Sequence, residues 1–596
     1  MANLSKIRRE KMLAFLKKLK EMHNDDESLI AINEIENHLN EKKFGLVWEE
    51  HEENVDVMLK NHIPVFAENS AREIIKDPLL PFNFLLEGDN LQSLYLLKKT
   101  HYNRVDVIYI DPPYNRGKND FVYDDDFIDA NDTFRHSKWI SFMYKRLELA
   151  RDLLTDKGLI FISIDDNEVA TLKLIMDEIF GEDRFINMFV WQRNSSGKTE
   201  KDKFTINTEY VLLYARSDNY ELNSVFKPLA EATRKMYSKN DNDGRGPYRL
   251  YPLQKPKDPG PETTYDYVDN NGKVWPCPPK GWRMKYEKLK ALENDGRLCL
   301  DNDTLSEKAY WNERDNEGKR VDTLWNDLPE NSVGSAELEK IIGQQDVFNN
   351  PKPVDLIRRC IEIGPKNAIV LDFFAGSGTT AQAVLESNLR DGGTRRFILC
   401  TNNEVTDKKQ IKYFVEKGHI AEPPKKGSKE EPEWKEKWKV LKSTPEYKKE
   451  ISTPEYQNLG ICNSVTFPRV KTIITGIRDD GTTYSEGYVA NLKYFKCDWM
   501  TRFPENEYLS NVLCAHISEM VELKTMATID QIKNCIILNR AQLIEFISRE
   551  DLSKCENVWL NERVLVRPDE MKVLRRFNLR YLPKEFFGQE LKEVAE

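Results

Sequence analysis

The sequence predicts an α/β protein built on a doubly wound, mostly parallel sheet, and three observations carry that expectation. Val105–Ile110 and Ala368–Asp372 are short apolar runs, the composition of strands buried on both faces. Helix-length segments alternate with such runs over 80–215 and again from 351, which is the order of a parallel sheet with crossover helices. Between them, 218–345 is rich in Asp, Asn, Gly and Pro and breaks the rhythm, so an inserted domain divides the α/β unit in two.

The elements follow in order. Leu13, Phe15, Leu16 and Leu19 recur at roughly helical spacing among many Lys and Glu, so 1–79 reads as a helical, solvated region. Over 80–217, Phe84–Leu86 is a strand ending at Gly88-Asp89-Asn90, and Leu91–Lys99 is a helix. Val105–Ile110 is the next strand and stops at Asp111-Pro112-Pro113-Tyr114. A helix near Ser141–Leu154, a strand at Leu159–Ile164, a helix near Ala170–Phe180 and a strand near Tyr210–Tyr214 complete this half. The inserted segment 218–345 carries Trp275, Trp282, Trp311 and Trp325 among short strands and loops. Over 346–420, a helix near Val354–Ile363 leads into Ala368–Asp372, a Gly-containing turn, a helix to about Leu389 and a strand at Arg396–Thr401. Residues 421–457 are rich in Lys, Glu and Pro, and Ser443–Tyr447 is nearly repeated at Ser452–Tyr456; this reads as a charged linker or a mobile charged helix. Residues 458–596 read as a last, mixed α/β segment with runs such as Ile536-Ile537-Leu538.

Composition limits the function. The 596 residues are 40% hydrophobic and 32% charged, which excludes fibrous, low-complexity and wholly disordered classes. No apolar run approaches the ~18 residues of a membrane span, and Met1–Lys20 lacks a continuous apolar stretch, so neither a membrane nor a secretory signal is expected. Nine cysteines without a CxxC pair argue against a zinc site or disulfide framework and fit a reducing cytoplasm. The net charge of −10 excludes an indiscriminate polycation but permits a local basic face. Such a face is offered by 272–297, where seven Lys or Arg stand against three acids with Trp275, Trp282 and Tyr286 interleaved.

Two motifs carry chemistry. In Asp372-Phe373-Phe374-Ala375-Gly376-Ser377-Gly378-Thr379-Thr380, an acidic strand end is followed by a small-residue turn that opens a helix. Gly376 and Gly378 permit tight turning and close approach of a ligand at the carboxyl end of a parallel strand. The pattern is neither GxGxxG nor a phosphate loop with its lysine. Glu404, beyond the next strand, is placed to accept ribose hydroxyls. The second motif is Asp111-Pro112-Pro113-Tyr114. Its prolines stiffen the backbone and remove two N–H groups, so the local polar groups are acceptors, the Asp111 carboxylate and the Pro112 carbonyl, beside the flat ring of Tyr114. That set suits a planar substrate bearing an exocyclic amine.

Asp-Pro-Pro-Tyr with Phe-x-Gly-x-Gly resembles the S-adenosylmethionine-dependent DNA amino-methyltransferases. The catalytic motif precedes the cofactor motif with an insertion between them, as in their β group. Further stretches resemble the modification subunit of type III restriction–modification systems: Leu85–Leu91, Ile108–Asn115, His136-Ser137-Lys138-Trp139, Ile162–Glu168, Pro351-Lys352-Pro353 and Leu371–Thr380. The resemblance implies a class I methyltransferase sheet with a catalytic half at 80–217, a target-recognition domain at 218–345 and a cofactor-binding half at 346–420. It assigns Asp111, Pro112, Pro113 and Tyr114 to catalysis. It assigns Asp89, Lys352, Asp372, Phe373, Phe374, Ala375, Gly376, Ser377, Gly378, Thr379 and Glu404 to S-adenosylmethionine. One departure is Asn207-Thr208-Glu209-Tyr210, where many relatives carry a His before the Glu.

The resemblance further implies transfer of a methyl group to adenine N6, since Asp rather than Ser precedes Pro-Pro-Tyr; the residues themselves suit either adenine or cytosine. The base must leave the duplex to reach the site, and no metal is needed. The loop Asn115–Asp126 is a candidate lid. Lys273, Lys280, Arg283, Lys285 and Lys288 are candidates for phosphate or base contacts, while Trp275 and Trp282 read as core. Expected partners are double-stranded DNA, a second copy of the chain and a separate restriction subunit. The alternatives are a stand-alone adenine methyltransferase, a DNA-recognition subunit without catalysis, and an RNA acceptor.

Overall fold

A computed structural model of the chain describes 4–22 and 52–594, apart from 124–125, 130–134, 197–203, 228–230, 258–259, 301–303, 316–318, 426 and 506, together with residues 28, 32, 35 and 48. Its centre is a ten-stranded sheet. In chain order the strands are β1 (His62–Glu68), β2 (Phe82–Glu87), β3 (Val105–Ile110), β4 (Leu154–Ile164), β5 (Phe185–Gln192), β6 (Thr208–Ala215), β7 (Leu324–Trp325), β8 (Ile369–Asp372), β9 (Arg396–Thr401) and β10 (Asn491–Thr501). In space they run β1-β10-β2-β9-β8-β3-β4-β6-β5-β7. The stretch from β10 to β4 is parallel throughout, while β1 and β6 run antiparallel to their inner neighbours. The sheet is therefore mostly parallel.

Burial on both faces follows from the alternation of side chains along a strand. Ile108, Ile110 and Leu371 pack into one core with helices α1 (Asn90–His101) and α2 (Arg135–Leu153). Val107, Tyr109 and Val370 point into a second core on the other face with helices α3 (Val354–Ile363), α4 (Thr379–Asp391) and α5 (Phe467–Thr475). Helices on both faces make the fold doubly wound.

The domain boundaries expected from sequence differ from the structure at four places. Residues 1–79 are not all helical: β1 lies within them and pairs with β10. The segment 458–596 does not stand apart, because β10 lies inside the main sheet between β1 and β2. Its first residues, Asn491–Phe495, are buried without interruption, as an interior strand requires. The insertion 218–345 returns β7 to the sheet beside β5, and its helix Asn331–Ile342 packs on Pro351-Lys352. Gly334 permits that approach, since a Cβ there would lie 2.3 Å from the Pro351 carbonyl oxygen.

The fourth difference is 421–457, which is neither a bare linker nor a single helix. It forms helices Glu431–Lys442, Pro445–Ile451 and Pro454–Gln457, anchored by Trp438, Tyr447 and Tyr456 around Phe414. The near repeat has a local cause: Thr444 and Thr453 are N-caps that accept from Tyr447 N–H and Tyr456 N–H, each with Pro at the first helical turn.

The rest of the insertion has its own small core around Leu253, Tyr267, Trp275, Trp282 and Leu289. The indole N–H groups of Trp275 and Trp282 donate inward, to Asp269 and to the Tyr265 carbonyl. At the C-terminal end, Asn534–Ile537, Asn557–Asn561 and Asn578–Leu582 form a separate three-stranded parallel sheet. Among the described residues no helix is long and apolar enough to cross a membrane.

Candidate active site

The two sequence motifs meet because β3 and β8 are neighbours in parallel register, Val107 opposite Val370 and Ile108 opposite Leu371. Asp111 and the turn after Asp372 therefore leave adjacent strands, about 4.8 Å apart, at the same end of the sheet. This is the end at which open α/β sheets bind ligands.

The Asp111–Tyr114 turn is held from several sides. The Trp139 indole N–H donates to the Pro113 carbonyl at 2.7 Å. Asn115, fully buried and left-handed at φ 57°, donates to Glu168 at 2.6 Å, and His136 Nδ1 contacts the same Glu168 oxygen at 2.6 Å. An Asn adopts that backbone more readily than most residues. His136, Trp139 and Glu168 come from two of the stretches that carried the family resemblance, and the structure gives them the task of bracing the turn.

Within the turn, Tyr114 donates its hydroxyl to Asp111 Oδ1 at 2.8 Å. Lys352 Nζ lies 3.1 Å from the same oxygen and 3.2 Å from Glu209 Oε2. Glu209 also meets Arg193 Nη1 at 3.0 Å, Arg116 Nη2 at 3.5 Å and the Tyr114 hydroxyl at 3.3 Å. Burial, partly opposed by Lys352, holds the Asp111 carboxyl above the usual carboxylate range, and the Glu209 charge adds to the rise. Burial works the same way on Glu209, but Lys352 and Arg193 outweigh it and hold that carboxyl below the usual range.

Lys352, expected among the cofactor contacts, is thus turned to the Asp111 carboxylate. Tyr114 is only 6% exposed, with the Arg116 guanidinium 4.8 Å above its ring and itself bound to Asp165 at 2.7 Å. Lys352 Nζ lies 4.9 Å from the same ring. The proposed lid is described only in part: 118–123 and 126–129 form a two-stranded hairpin, 124–125 lie outside the described residues, and the side chains over 118–134 are likewise outside them.

The second turn is a glycine cradle. Gly376 and Gly378 have φ of 47° and 75°, in the left-handed region that favours glycine. A Cβ on Gly376 would meet the Phe348 ring at 3.1 Å, and one on Gly378 would meet Thr466 at 3.3 Å. Asp372 does not face outward: it accepts from Phe374 N–H and Thr380 Oγ1, so both its oxygens serve the turn. Burial raises its carboxyl to about 7. Phe374 packs on Phe142 and Phe373, and the Phe373 carbonyl accepts from Asn90 Nδ2 at 2.9 Å.

The turn is also gripped from the C-terminal segment. Thr466 Oγ1 donates to the Gly376 carbonyl at 2.6 Å. The buried Arg469 donates to Thr379 Oγ1 at 2.6 Å, and Ser377 bonds Thr379 at 2.9 Å. Asp89 caps α1 by accepting from Leu91 N–H at 2.7 Å. Glu404 follows β9, with its carboxyl raised by burial.

Sequence reasoning missed Glu209 as a site residue, along with Arg193, Arg116, Thr466 and Arg469. The signal for Glu209 was present in part, as an acid opening a buried strand. Lys273, Lys280, Arg283, Lys285 and Lys288 are all exposed, on and before the helix Tyr286–Asn294. Lys285 pairs with Glu262 at 2.8 Å, and Lys273 lies 3.8 Å over Trp275.

Residues 105–412 match the family of N6/N4 DNA methylases, a span that holds both turns and the insertion between them. The chain belongs to this family. This N6/N4 DNA methylase is 38% identical over 358 residues to the Mod subunit of the type III restriction–modification enzyme StyLTI of Salmonella typhimurium, covering 55% of this chain and 54% of that one. It is 34% identical over 416 residues to the type II methyltransferase M.KpnI of Klebsiella pneumoniae, covering 64% and 92%. It thus spans about half the length of the StyLTI subunit and nearly all of M.KpnI. Among solved structures, a DNA modification methylase of Thermus thermophilus complexed with S-adenosyl-L-methionine aligns at 14% identity, TM-score 0.27, over 56% of this chain and 95% of that one. The cytosine-N4-specific PvuII DNA methyltransferase aligns at 12%, TM-score 0.31, over 54% and 83%.

Proposed function

We propose that this chain is a site-specific DNA methyltransferase that moves a methyl group from S-adenosylmethionine to adenine N6 of a flipped-out base, as the modification and recognition subunit of a type III restriction–modification system. The observation that carries the reading is the adjacency of the Asp111–Tyr114 turn and the Gly376–Gly378 cradle on neighbouring strands. The cradle fits the cofactor. Two glycines open it where side chains would close it, and Asp89 and Glu404 follow β2 and β9, the next two strands on one side of β8, at the sheet end where open α/β folds bind ligands. When bound, S-adenosylmethionine supplies an activated methyl group on a sulfonium.

The chain's own residues do the rest. Asp111 and the Pro112 carbonyl accept the two N–H groups of the acceptor amine, orient it and favour the pyramidal nitrogen whose lone pair reacts. Tyr114 supplies the stacking face once Arg116 has moved. Positioning of two bound partners accounts for much of the rate. Lys273, Lys280, Arg283, Lys285 and Lys288 contact the duplex. A second copy and a restriction subunit complete the assembly, consistent with relatives named as Mod subunits of such systems.

A second reading is favoured by one observation, the near-complete coverage of M.KpnI: a stand-alone methyltransferase. Methylome sequencing of a methylation-free host expressing this chain separates the two. N6-methyladenine on one strand of a short asymmetric motif supports the type III reading. Methylation on both strands of a palindrome supports the stand-alone enzyme, and N4-methylcytosine overturns the adenine assignment.

A further inference from the structure

Lys352 poses a problem for any reaction at Asp111. Its side chain is 7% exposed and its ammonium touches the carboxylate that meets the acceptor amine. The acceptor nitrogen gains positive charge as its new bond forms, so an uncompensated ammonium beside it opposes the reaction in a medium that screens poorly. Glu209 answers this. It is 2% exposed, binds the same ammonium and accepts from the Tyr114 hydroxyl. It is itself locked by Arg193 and by Arg116, which is tied in turn to Asp165.

We propose that Glu209 and Lys352 are positioning residues acting as one charge pair: Lys352 fixes the Asp111 carboxylate, and Glu209 cancels the ammonium's charge toward the acceptor nitrogen. This rests on the methyl-transfer reading above. It gives Lys352 a role in the transfer step, in place of the cofactor contact that the resemblance assigns to it. It also assigns a function to the Glu209 carboxylate, which stands near the start of β6. The directions of titration agree. Burial pushes the Lys352 ammonium down, yet Asp111 and Glu209 outweigh it and hold the lysine above its usual range. Beyond these groups, the Asp111 carboxylate faces Tyr109 on its own strand, Tyr114 in its own turn and Asp372 on β8.

The two members of the pair push Asp111 in opposite directions, which gives a signature that a purely structural ion pair lacks. Single-turnover methyl transfer to methylation-free genomic DNA, with methyl-tritiated S-adenosylmethionine, is measured against pH for the full chain and for Glu209→Gln, Lys352→Met and the double variant. Glu209→Gln is expected to lower the plateau by about 10- to 1,000-fold and to move the acidic limb to lower pH, because Lys352 then acts on Asp111 unopposed. Lys352→Met is expected to lower the plateau and move the limb to higher pH. The double variant returns the limb toward the wild-type position even where a single variant folds poorly. Equilibrium binding of S-adenosylmethionine stays within about threefold throughout, a factor worth less than ~1 kcal/mol. Limbs that stay fixed or move together overturn the proposal. So does a tenfold loss of cofactor binding in Lys352→Met with an unmoved limb, which would make Lys352 a cofactor contact. An inert wild type overturns the methyl-transfer reading itself, a result distinct from an active wild type whose variants keep its limb.

Discussion

Thr466→Val tests whether the C-terminal segment sets the shape of the glycine cradle proposed to hold the cofactor. Thr466 closes a π-helical turn, Cys462–Thr466, just before α5, and its hydroxyl donates to the Gly376 carbonyl at 2.6 Å. The next acceptor, the Ile461 carbonyl, is at 3.3 Å, so the proton belongs to the cradle. Valine preserves the shape and removes the donor. Thr466 is fully buried, so water does not replace it. A buried carbonyl left without its donor costs about 1–3 kcal/mol. If the cradle relaxes to recover a partner, binding must restore its shape, and S-adenosylmethionine affinity falls between about fivefold and about a hundredfold. Titration calorimetry of the full chain measures this, with thermal unfolding alongside. Thr475→Val is the control: its hydroxyl donates to the Lys471 carbonyl within the same helix, and cofactor affinity is expected to hold. A Thr466→Val chain with lowered stability and unchanged affinity would refute the reasoning, because the cradle would then keep its shape without that bond.

Other predictions concern neighbouring positions. Asp111→Ala is expected to abolish methyl transfer while DNA retention in a filter assay persists; surviving transfer would remove Asp111 from catalysis. Gly334→Ala places a methyl against the Pro351 carbonyl, so backbone must shift; a loss of about 1–3 kcal/mol in denaturant unfolding is expected, with transfer reduced as Lys352 moves. Asp372→Asn is expected to stabilise the unliganded chain by a few kcal/mol at pH 8 and by little at pH 4. The folded carboxyl titrates near 7 and the unfolded one near 3.8, so the cost of burying the charge is absent below the lower value, grows between them and is full above 7. Thermal unfolding at both pH values checks the sign. Replacing Lys280 and Arg283 by Gln should reduce the salt slope of DNA binding by about 0.9 for each lost phosphate contact; an unchanged slope would place the DNA elsewhere.

What was legible in the sequence was whatever is local. Val105–Ile110 and Ala368–Asp372 announced themselves as buried strands, and the turns after them carried their chemistry in consecutive residues. The position of β10 was not legible. Asn491–Phe495 is apolar enough to be a strand, but nothing in those residues says that its partners are Phe82–Glu87 and His62–Glu68, some four hundred positions earlier. The same holds for Glu209. Its partners come from three other places, the 111–116 turn, Arg193 and Lys352, and only the fold brings them to one carboxylate. Lys352 was expected to contact the cofactor; its approach to the helix Asn331–Ile342 depends on Gly334, which no periodic pattern singles out.

The place of β10 also bears on how the molecule comes into being. An interior strand drawn from residues 491–501 means that the sheet cannot close around β2 until that part of the chain has left the ribosome. Both turns of the site will by then have been synthesised, but with an open strand edge two positions from the cradle. Such long-range pairing is slow and exposes edges that invite association. The chain is therefore expected to be silent as a nascent polypeptide and to rely on chaperones at that stage. A truncation before Asn491 would remove an interior strand, and with it the pairing of β1, rather than an appendage from the end of the sheet.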